Sequence, residues 1–539
     1  MDIKGISKKY NLNKHVTKLF HQRNLTSKEQ IEDFLSPSLS NMNDLTKIPN
    51  ISTVVNTIKD HIFLGKIIIF CDFDCDGLTS AAIMFKAIKN YEPNANVLII
   101  NSNRYRDEYS LSNEAIHLIK KQNPTLVITL DCGISSRKEI LKLKEKGIEV
   151  VVIDHHESGE KIDFLENKFI DLKVNAGNYG FQEFSAGGIT WRVCQALLNS
   201  SFKEVLDLVT VSTVADVVPL IGENRYIAHA GINAIKQKNV NPGIKALASV
   251  LDLSLNTINT SDIGFLLGPC INAIGRLGSP RGVLDLFLYE HRQSQLSIDN
   301  IAFKLKEINE RRKRLANKIF DNMVATIDND VNVVVVRSRI KRGIVGPIAS
   351  KINKRFLKPT VVVDTESGKG SARSIEPFNI FKNLKICKQE GLLDTCGGHK
   401  MAAGLKVKEG KFHEFSQRLN ELAEDVEYKV NKYDLEIPLQ EVDHSFLNDM
   451  YKLKPFGHKN RHPIIKSHNI EINRPYVIKD RHVKFKANDK EAIAFYVSHQ
   501  MQHFKAGNKL TLLYQPKLST FRKKGKIELI IQDIIKKNE

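Results

Sequence analysis

A chain of 539 residues exceeds a single hydrophobic core, because cores stop growing near roughly 250–300 residues, so three or four domains are expected. Hydrophobic residues at 42% and charged residues at 26% sit at the globular average and exclude a disordered chain. Lys and Arg number 80 against 61 Asp and Glu, and the net charge of +19 favours a polyanionic partner: nucleic acid, an RNA-rich particle or anionic membrane.

In chain order, the segment from Met1 to Gly5 lacks the apolar core of a signal peptide. The first fifty residues are polar and mixed, with a short helix expected over 30–37 and stopped by Ser36-Pro37, since the residue before proline is pushed out of the helical region. From residue 61 short β-branched runs alternate with amphipathic stretches. Strands are expected at 66–71, 96–100, 125–130 and 148–153, with helices at 78–91, 112–122 and 136–147. This alternation predicts a mostly parallel sheet covered on both faces.

Residues 203–320 read as helical, ending in a long helix whose apolar stripe is Ile301, Leu305, Ile308, Leu315 and Ile319 and which also carries Arg311-Arg312-Lys313-Arg314. Strands return at 331–336 and 360–364, followed by Gly-rich stretches at 368–374 and 397–404, the second of which reads by itself as a loop. A second α/β unit therefore spans about 321–425. From 451 to 539 there are 20 Lys and Arg against 7 Asp and Glu, interleaved with Phe485, Tyr496, Phe504, Tyr514 and Phe521. Cations and rings together on a small β domain predict a single-strand binding module in which the rings stack on bases. No apolar run reaches the 18 residues of a membrane span, and seven cysteines without a Cys-x-x-Cys pair fit neither a disulfide framework nor a zinc knuckle. A reducing cytoplasm is the expected home.

The strongest chemical signal is Asp72-Phe73-Asp74-Cys75-Asp76-Gly77, placed directly after an apolar strand, where ligands bind in open parallel sheets. A surface turn is the plain alternative. Recurrence argues against it: two later strands end in Asp131-Cys132-Gly133 and in Asp154-His155-His156. Asp216 adds a carboxylate at the end of an apolar helix, where the dipole disfavours it unless a cation is near. Mixed carboxylate and imidazole ligation suits Mn²⁺, with Mg²⁺ as the alternative, and a pair of ions bridged by one carboxylate suits phosphoester hydrolysis. Cys71, Cys75 and Cys132 flank this cluster and read as small buried fillers.

These motifs resemble the DHH phosphoesterase superfamily. Further stretches narrow the resemblance to its RecJ family of single-strand-specific 5′→3′ DNA exonucleases: Asn103-Arg104, Ile271-Asn272-Ala273-Ile274-Gly275-Arg276, Gly370-Ser371-Ala372-Arg373-Ser374 and Gly397-Gly398-His399-Lys400. The resemblance covers about residues 30–535. It implies an N-terminal extension (1–50), a parallel-sheet DHH domain (51–230), a helical region with a connecting helix (231–320), a DHHA1-type α/β domain (321–425) and an OB-like β-barrel (430–539). In the family the two α/β lobes face each other across a cleft and the barrel closes the ring.

The resemblance also implies site residues. Asp74, Asp76, Asp131, His155 and Asp216 would hold two Mn²⁺ ions, with Asp131 as the bridge; Asp72 and His156 would lie around them, each able to bind metal directly. Arg104, Arg276, Ser371, Arg373 and His399 would hold the terminal and scissile phosphates, His156 would assist on the phosphate side, and Arg373 and His399 would stabilise the charge formed in the reaction. Arg311 and Arg314 would guide the strand, a solvated helix face being the alternative. The implied partner is single-stranded DNA, in repair or recombination, with a single-strand-binding protein or a helicase as protein partners; the implied state is a monomer.

Three departures from the family pattern stand out: Glu108-Tyr109-Ser110 replaces Gly-Tyr-Gly, Ile340-Lys341 replaces Trp-His, and Cys396 replaces a phenylalanine. Two other readings compete with an exonuclease. A hydrolase of short oligonucleotides or nucleotide phosphates would not need the basic C-terminal module, and an inactive binding scaffold would have lost metal ligands that are all present here.

Overall fold

The computed structural model describes residues 3–102, 111–158, 161–277, 280–291, 296–328, 330–424, 426, 432–478, 482–495, 497–519 and 525–535. The chain divides into two compact units, one formed by residues 42–218 and 230–429, the other by 1–41, 219–229 and 430–539.

The first unit holds two sheets. β1 (Ile67–Cys71), β2 (Val97–Asn101), β3 (Leu126–Leu130), β4 (Glu149–Ile153) and β5 (Phe169–Ile170) form an all-parallel sheet in the order β2-β1-β3-β4-β5. Its central strands are buried on both faces, which is why they read as unbroken Ile/Val/Leu runs. The register aligns their ends: Cys71 pairs with Leu130, and Leu130 with Ile153. Asp72, Asp131 and Asp154, each the next residue along its strand, therefore emerge side by side at one sheet edge.

The helix Ile298–Val324, 27 residues and so about 40 Å long, leads to the second sheet. There β6 (Val334–Ser338), β7 (Thr360–Asp364), β8 (Lys369–Arg373), β9 (Leu393–His399) and β10 (Ala402–Val407) run in the order β6-β7-β8-β10-β9. Both Gly-rich stretches, the second of them expected as a loop, pair as strands: β8, β10 and β9 run antiparallel, with Gly404 opposite both Ser371 and Gly397. Ladder hydrogen bonds from the main chain offset glycine's low strand propensity here, and the missing side chains leave the surface open, since a Cβ added at Gly397 or Gly404 would meet nothing within 4 Å.

In the second unit β12 (Ile465–Ile478), β13 (His482–Ala487), β14 (Lys490–Ala494), β15 (Lys509–Leu518) and β16 (Ile527–Ile535) close into a five-stranded barrel through the β12–β15 pairing, with β11 (Leu435–Glu436) added in parallel to β12. The N-terminal residues share its core: Val16, Leu19, Phe20, Ile31 and Phe34 bury in one cluster with Phe446, Phe485 and Tyr514. The short N-terminal helix runs over Lys28–Leu35 and starts with a reciprocal capping box between Ser27 and Gln30.

The barrel corrects one expectation. Phe485, Phe504 and Tyr514, expected to stack on bases, are buried in the core. Tyr496 and Phe521 lie outside the described residues. Among the described residues, Tyr433, Tyr476 and Phe495 are large rings that the strands of this domain or their flanks expose instead. Among the described residues no helix is long and apolar enough to cross a membrane.

Candidate metal centre and phosphate cleft

After β1 the chain turns through Asp72 and Phe73 into the helix Cys75–Tyr91. Asp74 caps that helix, its Oδ1 accepting from Asp76 N–H (3.0 Å) and Gly77 N–H (3.2 Å). Asp76 is buried and receives the main-chain N–H groups of Ala186 (2.8 Å) and Gly187 (2.9 Å), together with the Ser212 hydroxyl. Asp72 is buried and accepts from Ser102 Oγ (2.7 Å). Asp131 sits at φ +61°, a left-handed conformation that turns its carboxylate into the same pocket.

Oxygen and nitrogen atoms of Asp72, Asp74 and Asp131, of Asp76, His155 and Asp216, and of Asp131, His155 and His156 form three groups whose ligand atoms lie within 4.8 Å of one another. Asp131 and His155 each belong to two. His155 Nδ1 donates to the Phe184 carbonyl (3.1 Å), which leaves Nε2 as a bare lone pair. That lone pair lies 3.2 Å from Asp131, 3.7 Å from Asp76 and 3.7 Å from Asp216. Burial, with His156 beside it, pushes the His155 pKa down to about 3, so the imidazole is neutral.

A neutral nitrogen lone pair facing three carboxylates is repulsive unless a cation lies between them. The carboxylates carry the same sign of strain: burial and the neighbouring acids push Asp72 up to about 7 and Asp76 up to about 6, and hold Asp131 and Asp216 well above the ordinary value. Asp131 Oδ1 is buried and accepts no hydrogen bond from any described residue. This donor set of oxygens and one oriented imidazole fits a divalent cation.

Asp154 does different work, which its place in the Asp-His-His run does not reveal. Its carboxylate accepts from Ile134 N–H (3.1 Å), His155 N–H (2.8 Å) and His156 Nδ1 (2.7 Å), bracing the turn that aims His155. Against burial, these contacts hold Asp154 down at about 2. His156, although burial alone would lower it, is raised to about 9 by its bond to Asp154 and stands half-exposed as a cation beside the cluster.

Two cavities meet at Asp74. The smaller, about 350 Å³, is lined by Asp72, Asp131, Asp154, His156 and Asp216. The larger, about 700 Å³, runs between the two lobes of this unit, past Asn272, Arg276, Ser371, Arg373 and the glycines of β9 and β10. Arg373 is held by Ser350 Oγ (3.1 Å), Ser371 Oγ (2.9 Å) and the Ala372 carbonyl (2.7 Å), and Arg276 donates to the Gly343 carbonyl (3.0 Å).

The other sequence candidates fall elsewhere. His399 is exposed at the end of β9 and is not among the residues lining the cavity, although Gly397 and Gly398 are. Arg311 and Arg314 are exposed on the long helix and line neither cavity. Arg104 and the Glu108-Tyr109-Ser110 departure lie outside the described residues. Ile340 is buried, its N–H donating to Asp364 (3.0 Å), while Cys396 packs partly buried on the second lobe's core and lines the cavity.

Family models match in the same order as the domains: a DHH family N-terminal domain over 66–213, a DHHA1 domain over 328–425 and a RecJ OB domain over 433–533. A single-stranded-DNA-specific exonuclease RecJ of Bacillus subtilis is 27% identical over 551 residues, covering 98% of this chain and 69% of that protein. The chain belongs to the RecJ family. The crystal structure of RecJ from Thermus thermophilus in complex with Mn²⁺ matches with a TM-score of 0.84 at 22% identity, covering 99% of this chain and 78% of that one. The Mg²⁺ complex from the same source matches at 0.78 and 20% identity, covering 99% and 76%. The RecJ fold thus accounts for the parallel sheet, the second α/β domain and the closed barrel together. Of the expected departures from the family pattern, Ile340-Lys341 lies between β6 and the helix Val345–Phe356, and Cys396 lies within β9.

Proposed function

We propose that this chain is a divalent-metal-dependent exonuclease that degrades single-stranded DNA from the 5′ end by phosphodiester hydrolysis. One observation carries the reading: the oriented, neutral His155 Nε2 faces the carboxylates of Asp76, Asp131 and Asp216, and the cavity lined by Asp131 and Asp216 meets, at Asp74, the cleft lined by Arg276 and Arg373. Acids at one end and phosphate-binding groups at the other suit a chain end threaded between them. The names of the relatives support the substrate, and the basic OB domain supports a strand longer than a dinucleotide.

Asp74, Asp76, Asp131, His155 and Asp216, with Asp72 beside them, would be the ligands; Asp131 and His155 each belong to two of the three groups, and of the two only the carboxylate would offer two ligand atoms. When bound, a pair of Mn²⁺ or Mg²⁺ ions supplies an acidified water and neutralises charge on the phosphoryl oxygens. Arg373 and Arg276 orient the phosphates, and the planar guanidinium matches two phosphate oxygens at once. The charged His156 holds positive potential on the metal side of the strand. The Phe184 carbonyl keeps His155 in the tautomer that leaves Nε2 unprotonated, and Asp154 braces the turn that carries the ring.

The decisive assay uses 5′-phosphorylated single- and double-stranded oligonucleotides, each end protected in turn, with Mn²⁺. Nucleotides should leave the 5′ end of the single strand only, and Asp131→Ala should abolish release while oligonucleotide binding persists. Unchanged digestion by that variant would overturn the site assignment.

A further inference from the structure

One helix, Gly268–Leu277, packs against the residue before Asp216, the Asp72–Asp76 loop and the second lobe. Gly268 lies against Ala215, the neighbour of Asp216: a Cβ there would meet the Ala215 Cβ at 2.9 Å. Asn272 Oδ1 accepts the Cys75 main-chain N–H at 2.7 Å, at the first residue of the helix that follows Asp74. Gly275 packs on Phe73, where a Cβ would come within 2.8 Å of its carbonyl oxygen, and Arg276 reaches the second lobe at Gly343. Positions 268, 272, 275 and 276 form one stripe of an α-helix, at spacings of four, seven and eight. The stripe carries small residues wherever main chain must approach and a carboxamide where a main-chain donor needs a partner.

The Asn272 side chain is oriented by this contact. A main-chain N–H can only donate, so the oxygen faces Cys75 and the Nδ2 amine faces away. Asn272 lines the larger cavity beside Asp74, Arg276 and Arg373, and no described residue accepts from its amine. We propose that Asn272 has two roles in the proposed nuclease reaction: its oxygen positions the Asp72–Asp76 loop for metal binding, and its amine donates to a phosphate oxygen of the bound strand. The inference rests on the nuclease reading for the second role; the first concerns the metal loop alone.

Two variants of the full chain separate these roles, with Mn²⁺ binding followed by titration calorimetry and initial rates measured on a 5′-phosphorylated single-stranded oligonucleotide. Asn272→Ala removes both contacts. It should weaken Mn²⁺ binding by about 10-fold or more, the usual effect of losing a group that orients metal ligands, and lower kcat/KM with it. Asn272→Asp keeps an acceptor for Cys75 but loses the amine. It should bind Mn²⁺ at least as tightly as the wild type, the added negative charge favouring a cation, while kcat/KM falls roughly 10- to 100-fold, the size expected for one hydrogen bond to a charged oxygen. Wild-type Mn²⁺ affinity in the alanine variant would overturn the positioning role, and wild-type kcat/KM in the aspartate variant would overturn the donor role. Should the alanine variant fail to fold, the aspartate variant decides the donor role and Asn272→Leu, close in size but without an acceptor, decides the loop role. A wild-type chain that releases no nucleotide would sink the nuclease reading, whereas the Mn²⁺ titrations would still decide the loop role.

Discussion

The guanidinium of Arg225 lies 3.8 Å from the centroid of the Phe34 ring, and the same group donates to the main-chain oxygens of Phe34 (3.0 Å), Lys454 (2.7 Å) and Leu453 (3.0 Å). One fully buried arginine thus joins all three chain segments of its unit, residues 1–41, 219–229 and 430–539. Arg225→Met keeps the volume but strands several buried carbonyls. It should cost about 3 kcal/mol or more, lowering the Tm of this unit by roughly 6–12 °C. Thermal unfolding checks it, with Mn²⁺ binding as the unaffected control.

Gly77 admits no side chain. A Cβ there would sit 2.6 Å from the Asp72 carbonyl oxygen and 2.8 Å from its nitrogen, both main-chain atoms of the metal loop. Gly77→Ala should therefore displace Asp72 and reduce turnover by about 100-fold, as ångström-scale misplacement does in active sites. Circular dichroism should stay unchanged, and the Mn²⁺ concentration for half-maximal rate should rise. Normal metal dependence in this variant would contradict the contact.

Asp207 is buried beneath the helix Pro242–Val250 and accepts from the Leu208 N–H (2.7 Å) and the Asn241 N–H. Burial pushes its pKa up from 3.8 to about 6. The folded protein then holds a proton that the unfolded chain has released, so this contribution is full below about 3.8 and is lost as pH rises to about 6. At 1.36 kcal/mol per pH unit the loss is about 3 kcal/mol. Asp207→Asn, which cannot ionise, should remove it. Denaturant titrations from about pH 4 to 7 should show the wild type losing stability relative to the variant up to about pH 6 and running parallel above it; parallel curves throughout would refute the assignment.

On the barrel, Tyr476 and Phe495 are 54% and 47% exposed, Lys484 lies opposite Tyr476, and the His482 ring stands edge-on to Phe495 at 5.3 Å. Stacking on a base contributes about 1–3 kcal/mol, so Tyr476→Ala and Phe495→Ala should each weaken binding of a long single strand by roughly 10-fold or more. Phe485→Ala should instead destabilise the fold by about 3–5 kcal/mol, since it opens a core cavity. Fluorescence anisotropy at one fixed salt concentration separates the two classes.

How much of this was legible beforehand depends on the distance over which each feature is encoded. The acids after β1, β3 and β4 stand directly behind apolar runs, so strand, turn and carboxylate are read within about ten residues, and the shared sheet edge follows from parallel pairing. The inward burial of Phe485 was also there to be read: Val483, Phe485 and Ala487 alternate with His482, Lys484 and Lys486. Ring content alone does not register that alternation. The Gly397–Gly404 hairpin was hidden, because glycine runs carry no side-chain period and pairing rests on main-chain hydrogen bonds alone.

By itself, then, the amino-acid order determined the alternation that marks the parallel sheet, the strand ends that carry acids and the basic character of the last domain, all products of local periodicity and charge. Only the tertiary structure decided that Asn272 meets Cys75 across 197 positions, that Arg225 meets Phe34 across 191, and that His155 presents Nε2 to three carboxylates. Such contacts join groups with no shared local signal, and chain closure and packing select them together with the whole fold.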